Sequence, residues 1–143
     1  MKSLSGKLGI ILTVLLVIFA YAEGWGADWK LYNVDEEYCR YYDGGSIKKV
    51  LGIVRVWEKW IPSQKMVDEQ VKKIGAEYQD WAFNLSLTAI DCTEGKYRLL
   101  SYTSYDKTGK TIIRFENSES GTPGRFIAPE TVGETLLKAV CPK

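Results

Sequence analysis

The side chains able to do chemistry are few in this chain, and their spacing is restrictive. Its 143 residues contain no histidine, which removes the usual general base near neutral pH and the commonest nitrogen ligand of a metal. The three cysteines, Cys39, Cys92 and Cys141, form no Cys-x-x-Cys pair. A thioredoxin-type redox centre and a zinc ribbon therefore have no ligand set, and c-type haem attachment lacks its histidine. Gly44-Gly45-Ser46 and Gly121-Thr122-Pro123-Gly124 are turn chemistry and not phosphate-cradling loops. Paired carboxylates remain, the device of a small hydrolase, and the acids available are Asp35, Glu36, Glu37, Asp43 and Asp91. Each has a simpler explanation: a solvated turn, an Asx-type turn opener, and an acid at a strand end. No catalytic residue, metal site or cofactor is expected, and a carboxylate hydrolase is the weaker alternative.

Binding is better supported by residue types. The chain carries Trp25, Trp29, Trp57, Trp60 and Trp81, and eight tyrosines follow residue 22. Aromatic side chains bury much area with little entropy loss, which suits an interface and, equally, the core of a small sheet domain. Two triads combine aromatic and basic groups at strand-like spacing: Arg55, Trp57 and Lys59, and Tyr38, Arg40 and Tyr42. Basic stems beside aromatic rings would engage an anionic glycan or an extracellular partner protein. Asn84-Leu85-Ser86 matches a glycosylation sequon, but it sits inside a strand pattern and is incidental.

These groups must be positioned by the segments around them. Residues 1–22 read as a signal peptide: Lys2 and Lys7, an apolar run from Leu8 to Ala20, and Ala20-Tyr21-Ala22 at the cleavage site. The run falls short of the ~20 residues that a spanning helix needs, so no membrane span is expected after cleavage. No cysteine follows it at a lipid-attachment position, so no lipid anchor is expected either. The expected destination is the periplasm or the cell surface. Removing 22 of the 143 residues leaves 121 with a net charge of −1. That length suits one domain over residues 28–141, and that charge argues against a nucleic-acid partner. An oxidising compartment favours bridged cysteines. Cys92 and Cys141 are the expected pair, pinning a C-terminal helix onto a sheet. Cys39 would then be the unpaired thiol, either buried and inert or exposed and able to link two copies as a homodimer.

Periodicity supplies the elements. Asp28–Tyr32, Glu37–Asp43 and Gly52–Ile61 read as strands, the last stopped by Pro62. In the third strand Val54, Val56 and Trp60 share one face. Ser63–Asp80 shifts to a helical period, capped by Ser63 and weakened by Gly75. Trp81–Cys92 alternates Phe83, Leu85, Leu87 and Ala89 with Asn84, Ser86 and Thr88, which predicts a strand whose polar side faces water. Lys96–Tyr105 and Lys110–Phe115 complete a three-strand meander. After Pro129, Thr131 and Glu134 fit a capping box for a helix striped by Val132, Leu136, Leu137 and Val140. The expected class is α+β: an antiparallel sheet of about six strands, a C-terminal helix packed on it, and an additional middle helix.

An ordered set of short motifs runs through nearly all of residues 28–141. It comprises Tyr41-Tyr42-Asp43-Gly44-Gly45-Ser46-Ile47, Val54-Arg55-Val56-Trp57, Ile90-Asp91-Cys92, Tyr97-Arg98-Leu99-Leu100, Tyr105-Asp106-Lys107-Thr108-Gly109, Phe126-Ile127-Ala128-Pro129, Gly133-Glu134 and Val140-Cys141. This set resembles the bacterial surface-adhesin protein E-like domain family. The resemblance implies an exported, disulfide-linked antiparallel sheet with a C-terminal helix, and it marks the same two cysteines. It further implies a non-enzymatic role, the namesake acting in attachment to host surfaces. A periplasmic scaffold with no external ligand is the other non-catalytic alternative.

Overall fold

The computed structural model describes residues 26–118 and 120–143, so the expected leader and Trp25 lie outside the described residues. Alternating side chains produce eight strands: β1 (Trp29–Val34), β2 (Tyr38–Asp43), β3 (Lys48–Val50), β4 (Ile53–Pro62), β5 (Trp81–Asp91), β6 (Lys96–Asp106), β7 (Thr111–Glu116) and β8 (Arg125–Phe126). They form one antiparallel sheet in the order β1-β2-β4-β5-β6-β7, with β3 on the edge of β4 and β8 on the edge of β6. Two helices, α1 (Gln64–Lys73) and α2 (Val132–Val140), complete an α+β fold. The six long strands match the expected number. The two extra ones are only three and two residues long.

The hairpin joining β3 to β4 was not legible in the hydrophobic pattern. Val50 pairs with Ile53, which leaves Leu51 and Gly52 as a two-residue loop. Both have positive φ, 51° and 80°, as a right-twisted hairpin of this length requires. Leucine is an unusual occupant of that conformation, and its side chain is fully exposed.

The middle helix is shorter than the predicted Ser63–Asp80. Ser63 caps it as expected, its Oγ accepting from the Met66 N–H at 3.3 Å. Gly75 then adopts φ 151°, a conformation open to glycine, and the chain continues as a single 3₁₀ turn at Ala76–Tyr78. At α2, Thr131 Oγ1 accepts from the Glu134 N–H at 3.3 Å, but the Glu134 carboxylate returns to the N–H of Glu130 at 2.8 Å. The capping box closes one residue earlier than predicted.

Both helices pack on the same side of the sheet. Leu136 and Val140 of α2 meet Val54, Val56 and Ile90 in one apolar cluster. Val67 of α1 joins Tyr78 and Trp81 in a second. Cys92 and Cys141 are bridged, with their Cα atoms 5.7 Å apart and 49 positions apart in sequence. In the chain-entropy model such a closure stabilises the fold by about 4 kcal/mol. It holds the C-terminus of α2 against the end of β5.

The orientation of β5 corrects the sequence expectation. Its polar side, Asn84, Ser86 and Thr88, is the buried one, at 2%, 3% and 4% exposure. Phe83, Leu85 and Leu87 lie on the side away from the helices and are half-buried. Alternation separates two faces but does not say which one a helix will cover. The buried polar groups are tolerated because they satisfy one another: Asn84 Oδ1 accepts from Trp81 Nε1 at 2.8 Å and from Ser104 Oγ at 2.7 Å.

Candidate functional site

Register along β4 sets the centre of the covered face. Val54 and Val56 occupy one apolar cluster, Glu58 follows two positions later, and Trp60 comes next on the same side. Glu58 is 3% exposed. Its Oε1 accepts from the Tyr32 hydroxyl at 2.6 Å and from Trp60 Nε1 at 3.1 Å, and its Oε2 accepts from Thr88 Oγ1. Three neutral donors thus replace the water that a carboxylate loses on burial. Burial, and then the Glu58 carboxylate beside it, raises the Tyr32 phenol well above its ordinary pKa.

Arg40 stands opposite Trp60 on β2 and is 7% exposed. Its Nη1 donates to Asn33 Oδ1 at 2.7 Å and to Asp35 Oδ2. The guanidinium lies 4.8 Å from the Tyr38 ring centroid and 5.2 Å from that of Trp60. Its Nε is buried with no partner among the described residues. The Tyr38 N–H, and then the Arg40 guanidinium, hold the Asp35 carboxyl below its usual range.

Above this floor opens a cleft of about 600 Å³, walled by Ile90 and Leu99 of the sheet and by Ile127 and Leu136. Arg40, Glu58, Trp60 and Thr88 all line it. Its size and its largely apolar wall with a few polar groups are those of a small-molecule site. Glu58 escaped the sequence reading. The available signal was its position in the Val54, Val56, Trp60 alternation, where an ionisable residue is out of place.

The two sequence-predicted triads are not brought together. Tyr38, Arg40 and Tyr42 point to the helix-covered side. Tyr38 stacks at an edge with Trp81, at 6.2 Å, and Tyr42 packs on the α2 cluster. Arg55, Trp57 and Lys59 point to the opposite, open side. There Trp57 is 37% exposed. The Lys59 ammonium lies 4.8 Å from the Phe83 ring centroid and 5.8 Å from that of Trp29. Leu31 and Ile61 are exposed on the same side. Ala89 and Thr103 are among the buried residues there, short side chains flanked by Arg55 and Arg98 or by Leu85 and Arg114.

Cys39 is unbridged and partly exposed, also on the open side between Val34 and Ile61. Three of the acids considered for hydrolysis, Asp35, Asp43 and Asp91, serve turns. Asp35 Oδ1 accepts from the N–H groups of Glu37 and Tyr38, Asp43 Oδ1 from those of Asp28 and Gly45, and Asp91 Oδ1 from those of Thr93 and Glu94. Asn84 of the sequon is buried and already engaged by Trp81 and Ser104. No cluster of three His, Cys, Asp or Glu able to hold a metal occurs among the described residues. Among them, no helix is long and apolar enough to cross a membrane.

No curated protein sequence matches the chain. A family model does, and it takes in the whole sheet, both helices and the disulfide. Over residues 29–142 the match is to surface-adhesin protein E, and the chain belongs to that family.

Proposed function

We propose that the protein is exported and acts as a non-catalytic, adhesin-like binding protein, with the open side of the sheet as its contact surface. Family membership suggests a surface-adhesin-like, non-catalytic role. The observation that carries the proposal is the placement of both helices on one side of the sheet. The other side is left with Trp57, Leu31 and Ile61 exposed around the Lys59 ammonium. Half-exposed aromatics beside a cation are the composition of a contact patch. Lys48, paired with Arg55 across the β3–β4 hairpin, adds a further cation to that side. An anionic glycan or an acidic surface of an extracellular protein fits this chemistry.

The test is retention of the purified protein on a sulfated glycan column, eluted with salt. The parent protein should be retained, and replacing Arg55 and Lys59 together by alanine should move elution to lower salt. No retention of the parent protein ends the proposal for a glycan. Protease added to intact producing cells should remove the protein from their surface. Cleavage only after the outer membrane is opened would replace the adhesin role with a periplasmic one.

A further inference from the structure

The covered side of the sheet holds a second feature that adhesion through the open side does not use. Glu58 lines the 600 Å³ cleft, is 3% exposed and has no Lys or Arg nitrogen within ion-pairing distance among the described residues. The other charges near the cleft are answered. Arg40 pairs with Asp35, and its Nε is sealed from solvent. The first turn of α2 carries its own acid, Glu134, which also pairs with Lys138 at 3.2 Å. Of the two charged side chains that line the cleft, Arg40 is thus paired with Asp35, whereas Glu58 has no ion-pair partner among the described residues.

The walls around that carboxylate are apolar and aromatic. Ile90, Leu99 and Leu136 offer an aliphatic channel, while Tyr32, Trp60 and Tyr97 place ring systems on the same lining. A buried carboxylate bounded by rings favours a cation by direct attraction and by the electron-rich ring faces. The three donors on Glu58 occupy three of about four acceptor positions on a carboxylate, leaving one for a ligand N–H. An anionic ligand would meet Glu58, and the Arg40 guanidinium on the same lining is already held by Asn33 and Asp35.

We propose that this cleft is a binding site for an alkylammonium ligand, a small organic cation with an aliphatic body, whose charged end is received by Glu58. The aliphatic part lies along Leu99, Ile127 and Leu136. The site is independent of the open-face surface and of the partner proposed for it.

The probes are n-octylammonium chloride, sodium octanoate and octanol, titrated into the purified protein by calorimetry below their aggregation concentrations. Octylammonium should bind, and octanoate should not. Glu58→Gln keeps the acceptor oxygen for Tyr32 and Trp60 but removes the charge, and should weaken octylammonium roughly tenfold or more. Ala128→Trp, on the exposed rim of the cleft, should block binding by bulk and does not depend on how Glu58→Gln folds. Absence of octylammonium binding, equal binding of octanoate or octanol, or undiminished binding by either variant overturns the proposal. Replacement of Arg55 and Lys59 by alanine should leave octylammonium binding unchanged, and Glu58→Gln should leave glycan retention unchanged. The two sites can therefore fail separately.

Discussion

Glu58 and Asn84 are 3% and 2% exposed on one side of the sheet, while Trp57 and Leu31 are 37% and 54% exposed on the other. On β5 the polar side chains lie on the side that two helices cover, and Phe83, Leu85 and Leu87 lie on the side left open. This inverts the usual division of a half-solvated antiparallel sheet. Burial here follows where the helices dock, and they dock where Val54, Val56, Ile90 and Trp81 give them an apolar seat at each end. The polar groups between those seats are enclosed as a consequence. They survive there because Tyr32, Trp60, Thr88 and Ser104 supply donors. A sheet built this way keeps the Glu58 cleft and the exposed Trp57 and Leu31 on opposite sides.

The contrast can be tested by mutation on each side. The largest effect is expected at the staple of the covered side: Cys141→Ser should lower stability by about 4 kcal/mol in the chain-entropy model, measured by denaturant unfolding. A loss no larger than that of a surface substitution would mean that α2 is held by packing alone. Leu136→Ala, which opens a cavity beneath α2, should cost about 3 kcal/mol in the same measurement. Glu58→Ala should cost about 2 kcal/mol by leaving three buried donors unsatisfied, and Glu58→Gln should recover most of that. Equal losses in the two variants would show that the charge, and not the acceptor oxygens, holds the band together.

The next effect is confined to alkaline pH. Burial and the neighbouring Glu58 carboxylate raise the pKa of Tyr32 in the folded state, so the folded protein retains a proton that the unfolded chain gives up. Its contribution is fully present below the unfolded phenol pKa of about 10 and is lost as pH rises beyond it. Tyr32→Phe should therefore flatten the fall in stability above that pH. It should not abolish the fall, because burial also raises Tyr38, Tyr78 and Tyr102. An unchanged alkaline slope would place Tyr32 outside the linkage. The smallest effect belongs to the open side, where Leu31→Ala should change stability by about 0.5 kcal/mol. A cost near that of Leu136→Ala would mean that something covers this side after all.

Much of the fold was legible because its signals are local. The alternation of Ile53–Pro62 and of Trp81–Asp91 needs only neighbouring residues, as do the caps at Ser63 and Thr131, whereas the break at Gly75 was read only as a weakening of a helix reaching Asp80. The Cys92–Cys141 bridge could be expected from export and from the motif pattern, although the leader itself lies outside the described residues. The Leu51-Gly52 hairpin was missed because leucine is a poor marker of positive φ. The candidate sites were half legible. Residue types pointed to Arg55, Trp57 and Lys59 and to Tyr38, Arg40 and Tyr42, but spacing along separate strands could not say that the two triads face opposite ways. Only the pairing of Tyr41 with Lys59 and of Arg40 with Trp60 decides that.

Sequence by itself determined the six long strands, the presence of two helices and the absence of histidine chemistry. Periodicity, caps and composition are properties of a single chain segment. Tertiary structure alone decided which side of the sheet is covered. It also decided that a glutamate in a valine-rich strand would end beneath a cleft, with no ion-pair partner among the described residues. Strand register brings together residues about 30 positions apart, as Glu58 and Thr88 are, and helix docking sets what lies above them. Neither is encoded in the spacing of any one segment.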